Sequence, residues 1–230
     1  MNPPALPNRY IRTMTIAEPI ASQPPTTTYN QTALPVMEAF YTIQGEGTFA
    51  GRAAYFIRLG GCDVGCHWCD VKESWDVRKH PQRTINSIVA DAAQHPGRLA
   101  VITGGEPLMH NLTDLTNALH NAGFQTNIET SGVCQAVTGA WDWVCFSPKK
   151  FKTPNPAIFQ RADELKAIIY NRSDFDFAES FVPYLRPDCR LLLQPEWSRS
   201  DEMMPAIVEY VKKHPQWQVS LQTHKFMAIP

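Results

Sequence analysis

Between Gly60 and Asp70 the chain reads Gly-Gly-Cys-Asp-Val-Gly-Cys-His-Trp-Cys-Asp, placing Cys62, Cys66 and Cys69 within eight residues. Three thiols at spacings of four and three can turn to one side of a tight loop, and Gly60, Gly61 and Gly65 permit the backbone turns. Thiolates in such an array suit an iron–sulfur cluster or zinc. Structural zinc takes four ligands, commonly as two separated pairs, so a zinc knuckle would need His67 or a remote residue as the fourth. A cubane held by only three cysteines keeps one iron open to a bound molecule. The loop is too short and too rich in glycine to be core, so the fold must present it at an edge. The other cysteines, Cys134, Cys145 and Cys189, are scattered and read as free, mostly buried thiols.

What surrounds the loop predicts the architecture. Apolar runs suggest strands over Ala54–Leu59, Leu99–Thr103, Gln125–Thr130, Trp143–Ser147, Leu165–Tyr170, Leu191–Gln194 and Gln218–Gln222. Helical patterns lie between several of them. Thr84 is placed to cap one through Ile85, Ile88, Val89 and Ala92. Asn111 could cap one bearing Leu112, Leu115 and Leu119, stopped near Gly123, and Ser200 one through Met204, Ile207, Val208 and Val211. Alternating strands and helices imply an α/β protein with a parallel sheet and crossovers. A closed eight-unit barrel needs ~250 residues, so a partial, modified (β/α) barrel is expected here. In such sheets ligands sit at the carboxyl ends of strands. The chain's conspicuous segments fall there: the cysteine loop, Gly104-Gly105-Glu106-Pro107, Glu129-Thr130-Ser131-Gly132 and Ser147-Pro148-Lys149. Residues 1–35, rich in Pro, Thr, Ser and Asn, read as a flexible extension, and 36–230 as the catalytic domain.

The net charge of −1 gives no bulk electrostatic grip on nucleic acid. No apolar run would span a bilayer, and no apolar stretch follows Arg9 and Arg12 to make a secretory signal. A cytoplasmic protein with no direct nucleic-acid or membrane partner is expected.

The cysteine loop with an aromatic residue before its last cysteine resembles the cluster loop of the radical S-adenosylmethionine (SAM) superfamily, and Gly104–Pro107 resembles the superfamily's GGEP segment. A narrower likeness is visible in Phe40–Gly47, Ala54–Leu59, Val101–Pro107, Ile128–Gly132, Ser147–Lys149 and Gln222–Lys225. From about Val36 to Pro230 the chain resembles the 7-carboxy-7-deazaguanine synthase family. That resemblance implies conversion of 6-carboxy-5,6,7,8-tetrahydropterin to 7-carboxy-7-deazaguanine with loss of ammonia, on the queuosine and 7-deazapurine pathway. It also implies a [4Fe–4S] cluster on Cys62, Cys66 and Cys69, SAM on the fourth iron, a homodimer, and a low-potential electron donor such as flavodoxin. A glycyl-radical activating enzyme would share the cluster loop and GGEP, but not the Gln44-Gly45-Glu46-Gly47 loop, Arg58 or the tail.

Carried over position by position, the resemblance implies SAM contacts at Trp68, Asp70, Gly105, Glu106, Ser147, Pro148 and Lys149. It implies substrate contacts at Ile43, Gln44, Gly45, Glu46, Arg58, Thr103 and Pro230, whose terminal carboxylate family members can present to the pterin. His224 and Gln194 are weaker candidates. Arg58 also stands out by itself: it interrupts an apolar strand, where an unpaired charge is costly. It would face either a substrate carboxylate, bidentately, or a structural partner. Mg²⁺ is a further family expectation, but many members carry Thr or Ser directly after the Cys-Asp pair and this chain has Val71. A hard cation takes oxygen ligands, so no metal ligand is assigned to Val71.

Overall fold

The computed structural model describes residues 32–230. Nine strands form one sheet: β1 (Ala33–Ile43), β2 (Ala53–Leu59), β3 (Gln82–Thr84), β4 (Leu99–Gly104), β5 (Gln125–Thr130), β6 (Trp143–Phe146), β7 (Glu164–Ile169), β8 (Arg190–Pro195) and β9 (Trp217–Val219). Their order is β3-β1-β2-β4-β5-β6-β7-β8-β9. From β2 to β9 every neighbouring pair is parallel, whereas β1 runs antiparallel to both β2 and β3. Helices α1 (Ile85–Ala93), α2 (Thr113–Asn121), α3 (Ser173–Glu179) and α4 (Ser200–Lys213) fill four of the connections, and a short α5 (Thr223–Met227) follows β9. The sheet has two free edges, so this is a partial, unclosed (β/α) barrel. Among the described residues no helix is long and apolar enough to cross a membrane.

Period-two alternation sorts the strand residues onto two faces. Ile57, Ile102, Ile128, Val144, Leu165 and Leu193 join the helices in the main core, which also takes in Leu115 and Leu119 of α2 and Ile207 of α4. The opposite face carries only a small apolar cluster, of Ala54, Phe56, Leu99 and Val101. By the same alternation Arg58, Thr103, Glu129, Lys166 and Gln194 lie on that second face, near the carboxyl ends of five strands. The sheet's curvature shows in how its far ends meet. The segment after β1 bonds to the segment after β9, with Gly47 N–H donating to Ser220 Oγ (3.0 Å) and Thr223 N–H to Gly45 O (2.9 Å).

Several elements depart from expectation. Residues 1–31 lie outside the described residues, but Ala33–Pro35, assigned above to the extension, already pair with β3. Pro35 is tolerated because it stands at the last register position of that edge pairing. Thr84 caps α1, accepting from Ser87 N–H at 3.2 Å. Asn111 instead makes an Asx turn onto Thr113 N–H (3.0 Å), one position before the cap. Ser200 is the first residue of α4, behind Arg199. The last strand stops at Val219, because Ser220 turns its hydroxyl onto Gln194 Oε1 (2.7 Å).

Candidate functional site

The cysteine loop leaves β2 at Leu59 and is clamped from both sides. Gly61 N–H donates to Ser74 O (2.6 Å) and Cys62 N–H to Trp75 O (3.2 Å). From the β4 side, Gly105 N–H donates to Leu59 O (2.9 Å) and Glu106 N–H to Gly61 O (2.8 Å). The two segments are in backbone contact: a Cβ on Gly105 would stand 2.2 Å from Gly61 O and 2.9 Å from Cys62 Cβ. Glycine is required there by close approach.

Cys62, Cys66 and Cys69 line one cleft of about 1010 Å³, together with Trp68, Gly105 and Lys149. Among the described residues no three His, Cys, Asp or Glu side chains gather tightly enough to hold a single metal ion. A cubane asks for something else: each thiolate sits on a different iron, so the sulfurs must face a common space without converging on a point. The donor set, soft and limited to three, fits that group. Zinc finds no fourth ligand in His67, whose ring is exposed and packs edge-on against Phe151 and Tyr170 at 5.3 and 5.4 Å. Burial, opposed by Lys149 and reinforced by Cys69 and Cys62, pushes the Cys66 thiol up to about 11. Burial likewise raises the Cys62 thiol, so iron must displace protons from these two to bind.

The residues named for SAM divide. Trp68, Asp70, Gly105, Ser147 and Lys149 line the cleft, and Glu106 and Pro148 do not. The Glu106 side chain is buried and fully engaged in the protein. It accepts from Leu108 N–H (3.1 Å), Thr130 Oγ1 (2.6 Å), Ser131 N–H (2.8 Å) and the Ser131 hydroxyl. It ties the end of β4 to the end of β5, which leaves its backbone as the part next to the cysteine loop. Lys149 folds back onto Ser147, donating to its carbonyl (2.7 Å) and hydroxyl (2.6 Å), with its ammonium 5.9 Å from the Trp68 ring centre. Burial lowers its pKa.

A second cleft, of about 720 Å³, adjoins the first and shares Glu46, Asp70, Val71, Thr103, Gly104 and Glu129 with it. Ile43, Gln44, Gly45, Glu46, Arg58, Thr103 and Pro230 all line it, as does His224. Arg58 has a structural partner in Glu38 (2.7 Å) and lies over the Phe40 ring, yet it still faces the cleft. His224 fits because Gly45 has no side chain: a Cβ there would fall 2.2 Å from His224 Nδ1. Burial lowers the His224 pKa against the pull of Glu46.

Sequence reasoning missed the centre of this region. Lys166 donates to Glu46 Oε2 (2.5 Å) and Glu129 Oε2 (2.8 Å). Gln222 donates to Glu46 Oε1 (2.8 Å) and Gln44 to Glu129 Oε1 (2.9 Å). Desolvation raises the Glu46 pKa, but the attraction and hydrogen bond of Lys166 outweigh it and hold the carboxyl at about 2. Lys166 was legible by the logic used for Arg58: a charge inside the apolar run Leu165–Ile169. Val71 lines both clefts and offers no side-chain oxygen, so that position supplies no ligand to Mg²⁺.

Comparison with known proteins agrees with this geometry. Residues 56–144 match the radical SAM superfamily. A 7-carboxy-7-deazaguanine synthase of Flavobacterium psychrophilum is 55% identical over 197 residues, covering 86% of this chain and 93% of its own. That of Synechocystis is 46% identical, covering 85% and 93%. The crystal structure of QueE from Escherichia coli superposes with a TM-score of 0.74 at 30% identity, over 82% of this chain and 93% of that one.

Proposed function

Because this chain belongs to the 7-carboxy-7-deazaguanine synthase family of the radical SAM superfamily, we propose that it converts 6-carboxy-5,6,7,8-tetrahydropterin to 7-carboxy-7-deazaguanine, losing ammonia. One observation carries the reading. A three-cysteine cleft and a carboxylate-rich cleft share a wall at Thr103, Gly104 and Glu129, so a molecule in one reaches a molecule in the other.

Cys62, Cys66 and Cys69 would hold the [4Fe–4S] cluster, with Trp68, Asp70, Gly105, Ser147 and Lys149 around SAM. When bound, the reduced cluster and SAM supply a carbon-centred radical that abstracts hydrogen from the substrate. The protein's own part is geometry and solvent exclusion. Gly105 lets the backbone approach closely, and Lys149, braced on Ser147, brings a positive charge to the cleft. Glu46 and Glu129 accept hydrogen bonds from the N–H groups of a pterin edge, and the Gln44 amide stands beside them. Arg58, facing the same cleft, can pair with the substrate carboxylate by sharing its guanidinium with Glu38. Ile43, Gly45, Thr103 and Pro230 complete the pterin's surroundings, and His224 closes the wall behind Gly45.

A low-potential donor such as flavodoxin would supply the electron, and the enzyme would act as a cytoplasmic homodimer. The catalytic domain takes in β1 through α5. The decisive experiment is an anaerobic assay of reconstituted enzyme with dithionite, SAM and carboxytetrahydropterin, followed by mass spectrometry. The deazaguanine acid is the expected product. SAM cleavage without it would leave a radical SAM enzyme of another specificity, such as a glycyl-radical activating enzyme.

A further inference from the structure

Among the described residues Lys166 is the only lysine or arginine that is buried, at 2% exposure. A buried ammonium is costly unless it is paired and hydrogen-bonded, and here the pairing is with the two carboxylates that face the substrate cleft. Its neighbours on β7, Leu165 and Ala167, point to the helices, so alternation drives Lys166 to the opposite face. There it meets Glu46 from the segment after β1 and Glu129 from β5. The far oxygen of each carboxylate is fixed by an amide, Gln222 on Glu46 and Gln44 on Glu129. Both carboxylate planes are thus set by the protein alone.

The other ionisable groups facing Lys166 are Glu164 on its own strand, Cys145 on β6 and Lys149 beyond β6, while His224 lies near Glu46, and Arg58 near His224, along the second cleft. Burial opposes the charge on Lys166, but Glu129 and Glu46 raise its pKa well above the ordinary value, so it stays charged. Without that charge two half-buried carboxylates would adjoin with nothing between them to offset their repulsion.

We propose that Lys166 is a positioning residue for the substrate: it holds the carboxylates of Glu46 and Glu129 side by side, so that both accept hydrogen bonds from one donor-rich edge of the ligand. The proposal rests on the functional reading above for the ligand's identity. One cation against two carboxylates leaves a net negative charge facing the cleft. That charge favours an N–H-bearing edge and disfavours an anionic one.

The test compares reconstituted native enzyme with Lys166→Met, which keeps the length and removes the charge, and Lys166→Arg, which keeps the charge. In K166M a protonated-carboxyl band should appear in infrared difference spectra taken across neutral pH, where the native enzyme shows none. The KM for carboxytetrahydropterin should rise about 10- to 100-fold, the loss of a charge-assisted contact, and the acid limb of kcat/KM should move toward neutrality. Iron content should stay native, and K166R should restore the limb. Should K166M lose its cluster, the double variant E129Q/K166M, relieved of one unpaired charge, should regain iron while keeping the raised KM. A native acid limb and native KM in K166M would overturn the proposal, as would a KM rise equal at every pH. Native enzyme that fails to bind the pterin would sink the functional reading instead, and the infrared comparison would still decide the role of Lys166.

Discussion

Replacing Gly105 by alanine tests the contact on which the cluster loop rests. The added methyl would lie 2.2 Å from Gly61 O and 2.9 Å from Cys62 Cβ, against the 3.4–4 Å of ordinary contact. The obstacle is backbone, so a rotamer change offers no relief, and the β4 end and the cysteine loop must part by about 1 Å. That movement stretches Gly105 N–H to Leu59 O and Glu106 N–H to Gly61 O. Leaving such groups unpaired costs about 1–3 kcal/mol each, and the overpacking a further ~1–3 kcal/mol. The total of about 3–9 kcal/mol corresponds to a melting temperature lower by at least about 6 °C for a domain of this size. The assay is iron and sulfide content after anaerobic reconstitution, read beside thermal unfolding. Gly51→Ala is the control. Unlike Gly105 it has a positive φ, of 88°, but nothing stands within 4 Å of the new methyl, so it should cost about 1–2 kcal/mol of backbone strain and leave iron content unchanged. G105A with native iron and a native melting temperature would refute the claim that these two segments support one another.

Other outcomes follow from the same site. Glu106→Gln keeps the shape but gives the buried network a donor where Ser131 N–H needs an acceptor, and should cost about 2–3 kcal/mol in chemical denaturation. Because burial lowers the His224 pKa below its ordinary 6.5, the folded state binds fewer protons there than the unfolded state. The His224 contribution is therefore complete above about pH 6.5 and is lost as pH falls below it. His224→Gln should flatten that part of the melting-temperature profile between pH 8 and pH 5, and an unchanged slope would count against it. Val71→Thr restores a hydroxyl at a position lining both clefts. Turnover of V71T should respond to added Mg²⁺, and that of the native chain should not.

What could be read from the sequence follows physical lines. The strands β2 and β4 to β8 are short apolar runs buried on the helix side, and they were legible within a residue or so at each end, whereas the polar three-residue β3 was not. The cysteine loop was legible because glycine and thiol spacing leave few alternatives. β1 was not, since Glu38, Thr42 and Pro35 break its apolar run and its stability comes from antiparallel partners 10 or more positions away in the chain. α3 was missed because seven residues carry little periodic signal. In the site, the charges at Glu129 and Lys166 could have been found by asking which strand residues alternate away from the helices. The engagement of Glu106 could not, because it depends on Thr130 and Ser131 turning back over β4.

The bonds that join the segment after β1 to the segment after β9 carry a kinetic meaning. Thr223 reaches Gly45 across a sequence separation of 178 residues, by its amide and by its hydroxyl, while each parallel pair joins strands much nearer in sequence. Contacts of such span form late, after the local ones have repaid the entropy of chain closure. The sheet and the cysteine loop can therefore be in place while the wall that carries Gln222, Thr223 and His224 is still open. Those three residues act as the latch that ends this interval, so weakening them should prolong it.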